Sequence, residues 1–165
     1  MKTIKVYRGG SKSPKKLPNG DLYDSALEVL DQKGNALFRS ELVNTDPTTG
    51  FKGGILSAGN YYFIIGMHKG KYAAPILFKL VDDKRFERIK QKNDLTIGER
   101  TFPSKIPNPV QKDKKIMTCV NIHKGGNSSD FSNGCITIYK EEWKSFISHF
   151  EIGEKGKVEV IEVKK

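Results

Sequence analysis

A chain of 165 residues suits one domain with a single core, and no apolar run approaches the ~20 residues of a membrane-spanning helix. Lysine and arginine outnumber aspartate and glutamate by 29 to 19, a net charge of +10 that attracts anionic partners and is spread over several clusters. The two cysteines, Cys119 and Cys135, are too few to fix a redox compartment, and with His123 they lack the spacing of a zinc site, so neither metal nor cofactor is expected.

The first residues, MKTIKVYRGGSKSPKK, carry lysines but no apolar h-region, so no ordinary secretory signal is visible. The N-terminal third reads as β. Thr3 to Tyr7 is a short strand, and a loop with Pro14, Pro18 and an Asn19-Gly20 turn follows. Leu22 to Leu30 and Ala36 to Val43 flank Lys33-Gly34-Asn35 as a hairpin. LYDSALEVL also fits a short helix by periodicity, but its neighbours favour a strand. Pro47 to Gly54 is a turn-rich loop.

Tyr61 to Met67 is the clearest strand, with Tyr61, Phe63, Ile65 and Met67 on one face and Tyr62, Ile64 and His68 on the other. His68, at a hairpin end, is expected to be exposed, with a substrate contact as the alternative. Ala74 to Leu80 is the next strand. The charged segment Asp82 to Asn93, with Phe86 and Ile89 as a narrow apolar edge, reads as a helix or mobile loop over the body. Leu95 to Lys115, with Pro103, Pro107 and Pro109, is a long irregular connection that serves either as a lid or as a plain surface excursion.

The chemistry concentrates between Ile116 and Phe150. An apolar strand, Ile116 to His123, breaks into the polar loop Lys124 to Asn133 and resumes at Cys135 to Ile138. Paired as antiparallel neighbours, these arms place His123 and Cys135 at the mouths of strands ~5 Å apart. A thiol needs a base to take its proton, and an imidazole supplies one near neutrality. Gly134 permits the sharp turn that aims amide N–H groups at an oxyanion. The bland alternative is a buried Cys135, a satisfied His123 and an ordinary turn. Cys119 shares a strand face with Asn121 and His123 and is expected to pack, with a Cys119 to Cys135 disulfide as the alternative. Beyond the site, Trp143, Phe146, Ile147 and Phe150 give the segment Lys140 to Phe150 one buried helical stripe, so Trp143 is core before it is a sugar platform. Lys157 to Val163 is a closing strand.

The order His, polar loop, Ser132-Asn133-Gly134-Cys135-Ile136, then a short helix resembles the catalytic core of L,D-transpeptidases, the YkuD-like cysteine enzymes of peptidoglycan stem peptides. GGILSAGNYYFII and GKVEVIEV resemble flanking strands of that family. VNIHKGGNSSDFSNGCITI is similar to short bacterial and phage-associated domains that carry Ile-His-x-Gly-Asn and Gly-Cys-Ile. The resemblance covers about the last two thirds of the chain.

It implies one domain over 1–165: a mainly β, YkuD-like sandwich or barrel with one firm helix after the catalytic cysteine and a second short one. It implies an enzyme in which Cys135 is the nucleophile and His123 the base and then acid. The Gly134 and Cys135 amides would hold the oxyanion, with Ser132, Asn133, Thr137 and Lys124 on the substrate side. The expected partner is a peptidoglycan stem peptide, with transpeptidase or carboxypeptidase outcome, acting in the periplasm or cell wall. Small leaderless relatives of this kind include secreted antibacterial effectors, for which an immunity protein is a further partner.

Three positions depart from the family. Thr137 stands where an Arg is usual, so a cation for a substrate carboxylate is absent or supplied elsewhere; the spacing from His123 to Cys135 is short; and Lys124 replaces a Gly. A non-catalytic wall-binding or phage structural module of the same fold is therefore the second reading. Papain-like and NlpC-like peptidases place the nucleophile before the histidine, and His149, which does follow Cys135, sits at the far end of its helix. Nucleic acid ranks behind cell-wall polymers as a partner, because no basic helix with interleaved aromatics and no zinc-finger or RNA-recognition signature accompanies the charge.

Overall fold

The computed structural model describes residues 1–18, 20–46, 53–80, 82–126 and 135–163. Strands and helices follow in the order β1 (Thr3–Arg8), β2 (Lys15–Lys16), β3 (Leu22–Tyr23), β4 (Ser25–Leu30), β5 (Ala36–Asn44), β6 (Gly59–His68), β7 (Tyr72–Phe78), α1 (Asp83–Arg88), β8 (Thr101–Pro103), β9 (Ile116–Thr118), β10 (Ile122–Lys124), β11 (Ile136–Ile138), α2 (Lys140–Ile147) and β12 (Lys155–Glu162). The chain is mainly β with two helices, and eight strands form one sheet in the order β10-β11-β5-β4-β1-β12-β6-β7.

That sheet curls until its two edges nearly meet. Ile76 of β7 bridges to Asn121, just before β10, and the Leu77 N–H donates to the Val120 carbonyl at 3.1 Å. Near-closure removes most of the exposed edge that an open sheet leaves. Inside lie Ile4, Val6, Leu27, Val29, Phe63, Ile122, Ile136 and Ile138, every one of them fully buried. Phe63, expected on one face of its strand with Tyr61 and Ile65, joins them in this core, while Ile64 joins Ile76, Phe78 and Ile89 in a second cluster outside. The short helix α1 covers that outer cluster through Phe86, which packs on Tyr62 and Phe78. Asp82 caps the helix by accepting the Arg85 N–H at 2.9 Å.

The β4–β5 hairpin forms as expected around Gly34, whose φ of +87° suits a glycine. The helix after the site, α2, buries Trp143 and Phe146 against Tyr72 and Phe38. Gly156 is required where β12 crosses β6, because a side chain there would overlap the Phe63 ring and the Lys2 carbonyl.

Two expectations about the site strands are corrected. The stretch Ile116 to His123 is not one strand: Cys119 takes φ +59°, a left-handed conformation that ends the pleat and divides β9 from β10. And β10 pairs with β11 in parallel, with Ile122 opposite Ile136 and His123 opposite Thr137. The polar segment between them exceeds the two to five residues of ordinary hairpin loops, which frees the chain from an antiparallel return.

Candidate active site

Parallel pairing sets the geometry. The Ile136 N–H donates to the Asn121 carbonyl at 3.1 Å, so Cys135 lies beside Asn121, one position before the first paired residues. Side chains alternate along a strand, so Asn121 and His123 on one strand and Cys135 and Thr137 on its neighbour share a face, opposite the core-facing Ile122 and Ile136. Cys135 is therefore offset from His123 by two residues, ~7 Å of strand, instead of facing it directly.

Both side chains open onto one cleft of ≈ 520 Å³, whose wall also includes His68, Arg100 and Asn121. Asn108, Pro109 and Val110 line it too, so the irregular connection before Lys115 reaches the site. That connection is partly ordered, because β8 within it pairs with β9.

Neither Cys135, which is partly exposed, nor the more exposed Cys119 is in a disulfide, so the disulfide alternative is not formed. Cys119 lies at the cleft surface and not in the core, contrary to the packing role expected of it. Burial pushes the Cys135 thiol up, opposed by the Asn121 N–H, which donates to Sγ at 3.4 Å, and by the Arg100 guanidinium. Burial lowers His123, with Lys69 adding to the effect. The resting pair is a neutral thiol and a neutral imidazole. His123 Nδ1 lies 3.1 Å from the Lys124 carbonyl, which can only accept, so Nδ1 carries the proton and Nε2 holds the free lone pair.

His68 was expected to be exposed; it is buried, and its ring stacks on His123 with centroids 4.8 Å apart and planes 18° from parallel. Arg100, buried beneath the site, fixes its protonation through Asn121. The guanidinium only donates, so Asn121 Oδ1 accepts from Arg100 Nη2 at 3.0 Å, and Asn121 Nδ2 then donates to His68 Nδ1 at 2.9 Å. His68 is left neutral with its proton on Nε2. Its pKa falls to about 4 through burial, then through His123 and the lysines Lys69, Lys92 and Lys71. Neither residue could be found in the sequence by spacing, since each reaches the site from a distant segment.

Of the other expected residues, Ser132, Asn133 and Gly134 lie outside the described residues. Thr137 is fully buried, its hydroxyl has no hydrogen-bond partner among the described residues, and it is not part of the cleft wall. Lys124 is exposed beyond the cleft, its ammonium 5.0 Å from the centre of the Tyr72 ring. Just past it, Tyr23 fastens the start of the polar loop by donating to the Gly126 carbonyl at 3.1 Å. Trp143 is core, and His149 packs on Phe38 away from the cleft.

No family model, curated protein or solved structure matches this chain. Among the described residues, no group of three or more His, Cys, Asp or Glu is placed to hold a metal ion, and no helix is long and apolar enough to cross a membrane.

Proposed function

We propose that the protein is a cysteine acyl-transfer enzyme acting on peptidoglycan stem peptides, with a YkuD-like version of the barrel. The observation that carries the reading is a partly exposed cysteine, not in a disulfide, on the same strand face as an imidazole whose Nε2 is unprotonated, both opening onto one cleft. The resemblance of Ser132 to Ile136 to the L,D-transpeptidase motif supplies the substrate class.

His123 Nε2 takes the Cys135 proton as sulfur attacks the scissile carbonyl, because the neutral resting pair requires proton transfer to accompany attack. The tetrahedral oxyanion is held by the amides of Gly134 and Cys135. Its collapse breaks the C–N bond, and the imidazolium returns its proton to the departing amine. A thioester remains on Cys135. An incoming amine or water, deprotonated by His123, then attacks that thioester and releases the thiol, giving transpeptidation or carboxypeptidation.

The test is mass spectrometry of purified muropeptides incubated with wild type and with Cys135→Ala. Loss of a terminal D-amino acid, its exchange or a new cross-link with wild type alone is the expected result. Unchanged muropeptides in both would favour the non-catalytic wall-binding module.

A further inference from the structure

Resting on the acyl-transfer reading, we infer that the ammonium groups of Lys69 and Lys92 form an anion subsite beside Cys135, which selects acyl donors bearing a carboxylate near the scissile carbonyl. The cleft wall carries three permanent cations, Lys69, Lys92 and Arg100, and no Asp or Glu among its described residues. A cavity wall of one sign concentrates ligands of the other.

The three cations are not equivalent. Arg100 is buried and donates to the carbonyls of Leu77 and Val120 and to Asn121, so it adds field from beneath the cleft while three of its donors are already bonded. Lys69 and Lys92 are exposed, and neither has a carboxylate within ion-pair distance among the described residues.

The backbone at both positions is set by its neighbours. Lys69 sits in the β6–β7 turn, closed by the Lys71 N–H on the His68 carbonyl at 2.9 Å, with φ +50° at Lys69 and +68° at Gly70. Asparagine or aspartate adopts the first of those positions more cheaply than lysine does. Lys92 is seated against β6, its Cβ 3.6 Å from where a side chain on Gly66 would begin. The field of Lys69 is felt at His68, His123 and Cys135 alike, which places the ammonium within electrostatic reach of the reacting groups. Lys92 lines the same cleft and its field reaches His68, so a carboxylate drawn to the two lysines enters the cleft onto which Cys135 opens. The subsite offers the cation that Thr137, standing where the resembled family has Arg, does not.

The test needs no peptidoglycan. Cys135 is alkylated in the intact protein with iodoacetate, which carries a carboxylate, and with neutral iodoacetamide. Tryptic cleavage after Lys115 and Lys124 separates Cys119 from Cys135, so the rate at Cys135 is read directly by mass spectrometry. The ratio of the iodoacetate to the iodoacetamide rate is expected to fall roughly fivefold or more in Lys69→Gln/Lys92→Gln. It should stay near the wild-type value in Lys33→Gln/Lys144→Gln, which removes the same charge from exposed sites off the cleft. Circular dichroism of both variants checks that each is folded. An unchanged ratio in the first variant, or an equal fall in the second, would overturn the subsite while leaving Cys135 as nucleophile. A Cys135 inert to both reagents when folded, yet reactive in urea, would overturn the acyl-transfer reading and the subsite with it.

Discussion

Two arginines are buried in this barrel, and the protein treats their charges differently. Arg8, at the end of β1, meets Glu162 at 2.6 Å and Asp46 at 2.8 Å, and also bonds Thr45 and the Leu56 carbonyl. Arg100 donates to the carbonyls of Leu77 and Val120 and to the Asn121 amide, and no carboxylate among the described residues pairs with it. A guanidinium that only ties strands together is neutralised where it stands. The one under the cleft keeps an unspent positive charge, which opposes the burial of Cys135 and orients Asn121 toward His68.

The sharpest way to break this contrast is to remove each arginine. Arg100→Met strands two carbonyls and an amide oxygen away from water, and should lower stability by about 3–5 kcal/mol. Arg8→Met should cost less, about 1–3 kcal/mol, since it strands the Leu56 carbonyl but leaves Asp46 and Glu162, 39% and 42% exposed, free to rehydrate. Urea denaturation at neutral pH measures both, and equal losses would erase the distinction.

A smaller effect separates the two regions by pH. His68 is held below its ordinary 6.5, at about 4, so in that interval the unfolded chain binds a proton that the folded one refuses. Its contribution is present above 6.5 and lost as pH falls through about 4. Glu99, by contrast, is paired with Arg85 and lowered to about 2 from 4.5, so its contribution is present above 4.5 and lost as pH falls toward 2. His68→Gln should flatten the stability profile in the upper interval and Glu99→Gln in the lower one, read from denaturation midpoints across pH. A His68→Gln profile that parallels wild type would show that the stacked histidines are not held neutral by their surroundings.

What the sequence disclosed was local. Alternation over Tyr61 to Met67, the turn at Gly34 and the spacing of Trp143 and Phe146 each carry their own periodicity, and β6, the β4–β5 hairpin and α2 follow them. What it hid was set by distant partners. His68 reads as an exposed hairpin end because nothing near it announces that Asn121 and His123 will cover it. Arg100 lies in an irregular stretch where a charge ordinarily stays wet. The left-handed Cys119 and the parallel β10–β11 pairing also leave no local mark, and they convert a predicted face-to-face thiol and imidazole into a diagonal pair on one face. Cys135 and His123 stand out in the sequence by residue type and order, whereas the surroundings that bring both to one cleft do not.

The central claim, a Cys135 nucleophile served by His123, is tested most directly by intact-mass measurement of the acyl adduct formed with a carbapenem. The account predicts one adduct, mapped to Cys135, absent in Cys135→Ala and formed about a hundredfold or more slowly in His123→Asn. No adduct on the folded wild type, an adduct on Cys119, or an unchanged rate in His123→Asn would contradict it.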